Sequence, residues 1–118
     1  MITGIDHIQI SFPAAHLDEA LRFYVDALGF VRVPKPAELQ QDGAWLEQGA
    51  VHLHLGEEAQ FVTDSRAHPA FTVTDIEAIL TRCASGGYRV RRDAGPIGYS
   101  RASAFDAFGN RVELMQKL

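Results

Sequence analysis

The sequence predicts an α+β domain built from two βαβββ modules, and three observations carry that reading. An alternating strand led by a histidine, Ile5-Asp6-His7-Ile8-Gln9-Ile10-Ser11, recurs as Ala67-His68-Pro69-Ala70-Phe71-Thr72-Val73. Each is followed by a helix pattern and then by short strands. His7 precedes His52 by 45 residues and His68 precedes Glu113 by 45, within the similar strings Val51-His52-Leu53 and Val112-Glu113-Leu114. We read this as an internal duplication inside a single domain, 1–118. Module one spans 1–56, a linker 57–66 and module two 67–118.

In the first module, Ile8, Ile10 and Phe12 alternate with His7, Gln9 and Ser11, as a half-buried strand requires. Pro13 ends the run. Leu17, Ala20, Leu21, Tyr24, Val25 and Leu28 then form one apolar helical stripe. Asp18 and Glu19 sit where the helix dipole favours anions, and Gly29 supplies the stop. Short strands are expected at Phe30–Val33 and Ala44–Gln48, with a loop at 35–43 between them. Gly49 turns the chain into Val51–Leu55, where His52 and His54 share one face. Residues 56–65 are polar and acidic without periodicity.

The second module repeats the order. Pro69, Phe71 and Val73 are expected to face the core. Thr74 and Glu77 read as a capping box for a helix with Ile76, Ile79, Leu80 and Cys83 inward, ended by Gly86-Gly87. Strands follow at Tyr88–Arg92, Tyr99–Phe105 and Arg111–Gln116. The last two join through Asp106-Ala107-Phe108-Gly109-Asn110, rich in turn residues.

Composition narrows the function. A length of 118 residues with 47% apolar and 22% charged residues suits one folded domain without disulfides. A net charge of −4 argues against nucleic acid as a partner. No apolar run approaches the ~20 residues of a membrane span, and no secretory leader pattern opens the chain. A cytoplasmic location is expected. Cys83, the lone cysteine, reads as a small core side chain.

His7, His52, His68 and Glu113 each lie on a strand whose other face is apolar, so all four belong to the face away from the helices. A lone strand histidine is ordinarily a hydrogen-bonded or solvent-facing residue, and Glu113 could be a solvated neighbour of Arg111. Their joint occurrence at repeat-related positions points to a divalent metal instead: Zn, Fe, Mn, Ni or Co, one per site. His54 shares the face of His52, so the choice between them stays open. The spacing favours His52 as the counterpart of Glu113 and His54 as a substrate contact. Gln9, Thr72 and Ser103 could line the same face, with Trp45, Phe105 and Met115 as apolar walls and Arg101 gripping an anionic group. For Trp45 and Phe105 the alternative is packing between modules, and for Arg101 a surface salt bridge.

These residues resemble the vicinal oxygen chelate superfamily. The resemblance rests on the paired modules, the histidine near the first strand, "His-x-Ala-Phe" opening the second module and "Asp-x-x-Gly-Asn-Arg-Val-Glu-Leu" near the end. The string Leu21-Arg22-Phe23-Tyr24-Val25-Asp26-Ala27-Leu28-Gly29-Phe30 is also similar to the family's first helix and its exit. The family includes glyoxalase I, fosfomycin-resistance thiol transferases, extradiol dioxygenases and bleomycin-resistance proteins. The resemblance implies that two modules close one cup of mixed sheets, often from two subunits of a homodimer. It implies His7, His68 and Glu113 as metal ligands, with position 52 as a fourth where glyoxalase I has Glu. His52 and Glu113 are then the candidate proton-transfer groups. It implies a small oxygenated or anionic substrate held through two oxygens, in lyase, isomerase or oxygenase chemistry. The alternative it also carries is a metal-free, drug-binding protein of the bleomycin-resistance kind. The Asp106–Asn110 turn departs from the family in lacking Pro at position 107.

Overall fold

The computed structural model describes residues 1–63 and 66–118. Asp64 and Ser65, within the linker expected at 57–66, lie outside the described residues. Two compact units result, Met1–Phe61 and Val62–Leu118. Each is a four-stranded mixed sheet carrying a helix, in the order βαβββ.

In the first unit the strands are β1 (Ile8–Pro13), β2 (Val31–Val33), β3 (Ala44–Gln48) and β4 (Val51–Glu58), ordered β1-β4-β3-β2. β4 runs parallel to β1 and antiparallel to β3. It continues three residues past the expected Leu55, so the linker starts later than the polar composition suggests. The helix is α1 (Leu17–Leu21), which passes directly into a π-helical segment, Arg22–Ala27. The buried stripe is Ala20, Phe23, Tyr24, Ala27 and Leu28. Leu21 and Val25, expected inward, are only half-buried. Ile10 and Phe12 of β1, Leu46 of β3 and Leu53 and Leu55 of β4 are buried as well and complete the core of this unit. Gly29 leaves the helix at φ +85°, a conformation that costs a side-chain-bearing residue dearly.

In the second unit β5 (Ala70–Thr72), β6 (Val90–Asp93), β7 (Tyr99–Phe105) and β8 (Arg111–Lys117) are ordered β5-β8-β7-β6. β5 is parallel to β8, and the other pairs are antiparallel. Helix α2 (Ile76–Ser85) buries Ile76, Leu80 and Cys83, alongside buried Ala102, Ala104, Val112 and Leu114 of β7 and β8. Its N-cap corrects the expected capping box. Asp75, not Thr74, caps it by accepting from the Ala78 N–H at 3.0 Å, and Glu77 pairs with Arg92 instead. A carboxylate is a better acceptor than the Thr hydroxyl one residue earlier, and it shifts the helix start by one.

The turn between β7 and β8 is held by Asp106. Its carboxylate accepts from the Phe108 and Asn110 backbone N–H groups, each at 2.9 Å, and from the Asn110 amide at 2.8 Å. The turn thus closes without Pro at position 107.

Candidate functional site

The strand pleat decides which side chains face away from the helices. On β8 Val112 and Leu114 are buried toward α2, so Arg111, Glu113 and Met115 take the opposite face. On β7 Arg101, Ser103 and Phe105 do the same. Glu113 is nevertheless only 8% exposed, and Ser103 0%, because guanidinium groups roof them.

Arg101 grips both Glu113 oxygens, Nε to Oε2 at 2.9 Å and Nη2 to Oε1 at 3.1 Å, while its Nη1 donates to the Ala94 carbonyl at 2.9 Å. Arg111 reaches Oε1 at 3.3 Å and donates through Nε to the Ser103 hydroxyl at 2.9 Å, which donates to Asp93 at 2.6 Å. The Arg101 guanidinium holds the Glu113 carboxyl below its ordinary value, outweighing burial, and His68 adds to this. Burial pushes Asp93 upward, yet bonds from Arg91 and Ser103 keep it lowered.

His68 stands beside this network. Its Nδ1 lies 2.8 Å from the Arg66 carbonyl and its Nε2 3.0 Å from Glu113 Oε1. A carbonyl only accepts, so Nδ1 carries a proton. Nε2 and the carboxylate oxygen would then face each other as two lone pairs unless a cation, a second proton or a metal ion, lies between them.

The first unit carries the other histidines. His7 Nδ1 is 2.9 Å from the Asp6 carboxylate, which leaves Nε2 outward. This anchoring of Nδ1 by an oxygen, repeated in His68, is the habit of metal-ligating imidazoles. The His7 ring stacks on His54 at 3.9 Å, and His54 stacks on Trp45 at 4.2 Å. Burial, and then the neighbouring His7, hold His54 below its ordinary pKa. His52 points to Glu47 at 3.2 Å, and about half of its side chain is exposed.

Register corrects the expected equivalence of His52 and Glu113. Gln9 pairs with His54 and Ala70 with Glu113, and each pair's first member lies two residues after its module's histidine. His54 is therefore the counterpart of Glu113. The offset between paired strands is 45 residues in module one (Gln9 to His54) and 43 in module two (Ala70 to Glu113), so equal spacing from the histidines hid the match. Stacking adds a second limit. A ligating nitrogen needs the ion in its ring plane. One ion cannot lie in the planes of both His7 and His54 as these rings stand.

The remaining expected residues are scattered. Trp45 joins the ring stack, and a cavity of about 530 Å³ beside it is lined by Gln9, His54 and also Lys35 and Leu39. Lys35 was not foreseen, since the loop 35–43 carries no periodicity. Phe105 lies under the Arg89 guanidinium at 3.9 Å, a cation–π contact, and also lines a cavity of about 310 Å³ with His68 and Arg111. Met115 is half-buried opposite Thr72 and Arg101. Among the described residues, no three His, Cys, Asp or Glu side chains gather closely enough to hold a metal.

Two βαβββ units with imidazole and carboxylate groups on their open faces define a paired-module protein. The chain belongs to the Glyoxalase/Bleomycin resistance protein/Dioxygenase superfamily, whose family model matches residues 4–114. The structure of a Bacillus anthracis protein assigned to the glyoxalase family superposes with a TM-score of 0.90 at 36% identity, covering 100% of this chain and 98% of that one. The fosfomycin resistance protein FosX of Listeria monocytogenes superposes with a TM-score of 0.80 at 14% identity, covering 100% and 96%, a likeness of fold alone. Arabidopsis thaliana Glyoxylase I 4 is 32% identical over 54 residues, 46% of this chain and 30% of that protein. The chain therefore matches under a third of that relative's length. No helix among the described residues is long and apolar enough to cross a membrane.

Proposed function

We propose that this protein is a divalent-metal-dependent enzyme acting on a small oxygenated or anionic molecule through bidentate oxygen chelation, in lyase, isomerase or oxygenase chemistry. The observation that carries this is the pairing of His68 Nε2 with Glu113 Oε1 at 3.0 Å while Nδ1 is held by the Arg66 carbonyl. It is a receptor for a cation, and the donor set fits Zn, Fe, Mn, Ni or Co.

His7, His68 and Glu113 would hold the ion, in a cytoplasmic homodimer with sites shared between chains. When bound, the metal supplies Lewis acidity to two substrate oxygens and stabilises charge developing on them. Asp6 and the Arg66 carbonyl fix the two imidazole rings through Nδ1. His54, a neutral ring between Trp45 and His7, is better placed than His52 to take a substrate proton. The Trp45 face and the adjoining cavity offer an apolar wall and the Gln9 amide.

A second reading, a metal-free small-molecule binder, is favoured by one observation: Arg101 already occupies both oxygens of Glu113. Elemental analysis after separate loading with each of the five metals tests the choice. About one equivalent per chain, lost in His68→Ala and Glu113→Ala, is expected. Absence of stoichiometric binding by all five removes the enzyme reading. Light scattering then reports whether the loaded protein is a dimer.

A further inference from the structure

The cation already on Glu113 is the most unusual feature of the second unit. Arg101 reaches it diagonally across the β7–β8 ladder, where Ser103 is the direct partner of Glu113. Its third contact, Nη1 to the Ala94 carbonyl at 2.9 Å, does not involve Glu113. If the fork on Glu113 opened, the guanidinium would stay tethered at the open face. Glu113 would stay in place as well, because Arg111 reaches Oε1 at 3.3 Å independently.

We propose that Arg101 is a latch: it occupies Glu113 in the empty site, and on metal binding it gives up the carboxylate and takes the oxyanion group of the substrate. This rests on the metal-site reading above and names the substrate class as a carboxylate or another oxyanion. The physical basis is competition between like charges. A guanidinium and a divalent ion on one carboxylate stand about 5 Å apart and repel, which at aqueous to intermediate dielectric is worth about ten- to a hundredfold in affinity. An anion arriving on Arg101 cancels that repulsion, so metal and oxyanion strengthen each other's binding reciprocally. A planar, five-donor guanidinium suits the exchange because one carboxylate can replace another on the same fork.

The test is isothermal titration with Co²⁺ alone on the full chain, comparing wild type with Arg101→Met and Arg101→Lys at fixed ionic strength, in chloride and in sulfate. Arg101→Met is expected to bind at least about tenfold tighter, with Arg101→Lys between it and wild type. Sulfate should tighten Co²⁺ binding to wild type and leave Arg101→Met unchanged. Circular dichroism checks that each variant is folded, and Arg101→Lys carries the comparison if Arg101→Met is not. Equal or weaker binding by the neutral variant, or no sulfate effect on wild type, overturns the latch. If wild type still binds one equivalent that His68→Ala loses, the metal site survives that failure. If neither wild type nor any Arg101 variant binds Co²⁺, both readings fall.

Discussion

Glu113 gives the sharpest stability prediction. Carboxylates gathered for a metal usually repel one another, so removing one tends to stabilise a protein. Here the sign should reverse, because Glu113 is 8% exposed and its partners are Arg101, Arg111 and His68. Glu113→Ala strands two guanidinium groups over a buried face. Breaking a buried pair costs about 3–5 kcal/mol. The side chains of Arg101 and Arg111 are 28% and 26% exposed and can recover water, so about 2–3 kcal/mol is the better figure. For a chain of this length that lowers Tm by roughly 8–12 °C. Glu113→Gln, which keeps the shape and some hydrogen bonding, should lose about half as much. The pH dependence supplies a second check. The carboxyl pKa is depressed in the fold, so its contribution is complete above the ordinary value of 4.5 and disappears as pH falls through the depressed one. Wild type should therefore lose stability below about pH 4.5 more steeply than Glu113→Gln. Scanning calorimetry at a series of pH values measures both. A Glu113→Ala variant as stable as wild type, with an unchanged acid limb, would refute the charge balance drawn for this face.

Three further outcomes are expected. His54→Ala should retain stoichiometric metal while His7→Ala loses it, because the stacked rings cannot share one ion; the opposite pattern in elemental analysis would show that His54 is the ligand. Gly43→Ala should cost at least about 2 kcal/mol in urea unfolding, since an added Cβ would stand 2.1 Å from the Leu55 carbonyl oxygen at φ +70°. Asp75→Ala should lower stability by about 1 kcal/mol while Thr74→Ala changes little, which thermal melts of the two variants compare directly.

Much of the fold was legible because side-chain period and punctuation agreed. Tyr99–Phe105 is a strand with the bounds its alternation suggests, and the Asp106–Asn110 turn sits where its composition put it. Features set by tertiary geometry were not legible. Along Leu17–Leu28 apolar residues are so frequent that the expected stripe and the buried one, Ala20, Phe23, Tyr24, Ala27 and Leu28, both fit a 3.6-residue period, so the period alone does not choose between them. Spacing favours His52 over His54, a choice the sequence leaves open, because chain spacing stands for register only when loops match, and the modules differ by two residues there. Arg101 was foreseen near a ligand, but its grip on Glu113 arises diagonally across a ladder that sequence does not display. The resemblance fixed the family, and strand pairing fixed which side chains can meet within each unit.

The parallel pairing of β1 with β4, and of β5 with β8, bears on how the protein is made. Each module's opening strand has no ladder to join until its closing strand exists, 45 residues later in one case and 43 in the other. During synthesis β1 must wait, with Ile8, Ile10 and Phe12 uncovered, until β3 and β4 have emerged and formed their antiparallel hairpin. Such long-range closure is the slow step expected of a mixed sheet. Each module is thus completed by its own last strand, so the first has all the strands of its sheet once Glu58 is free to pair, before β8 of the second is made.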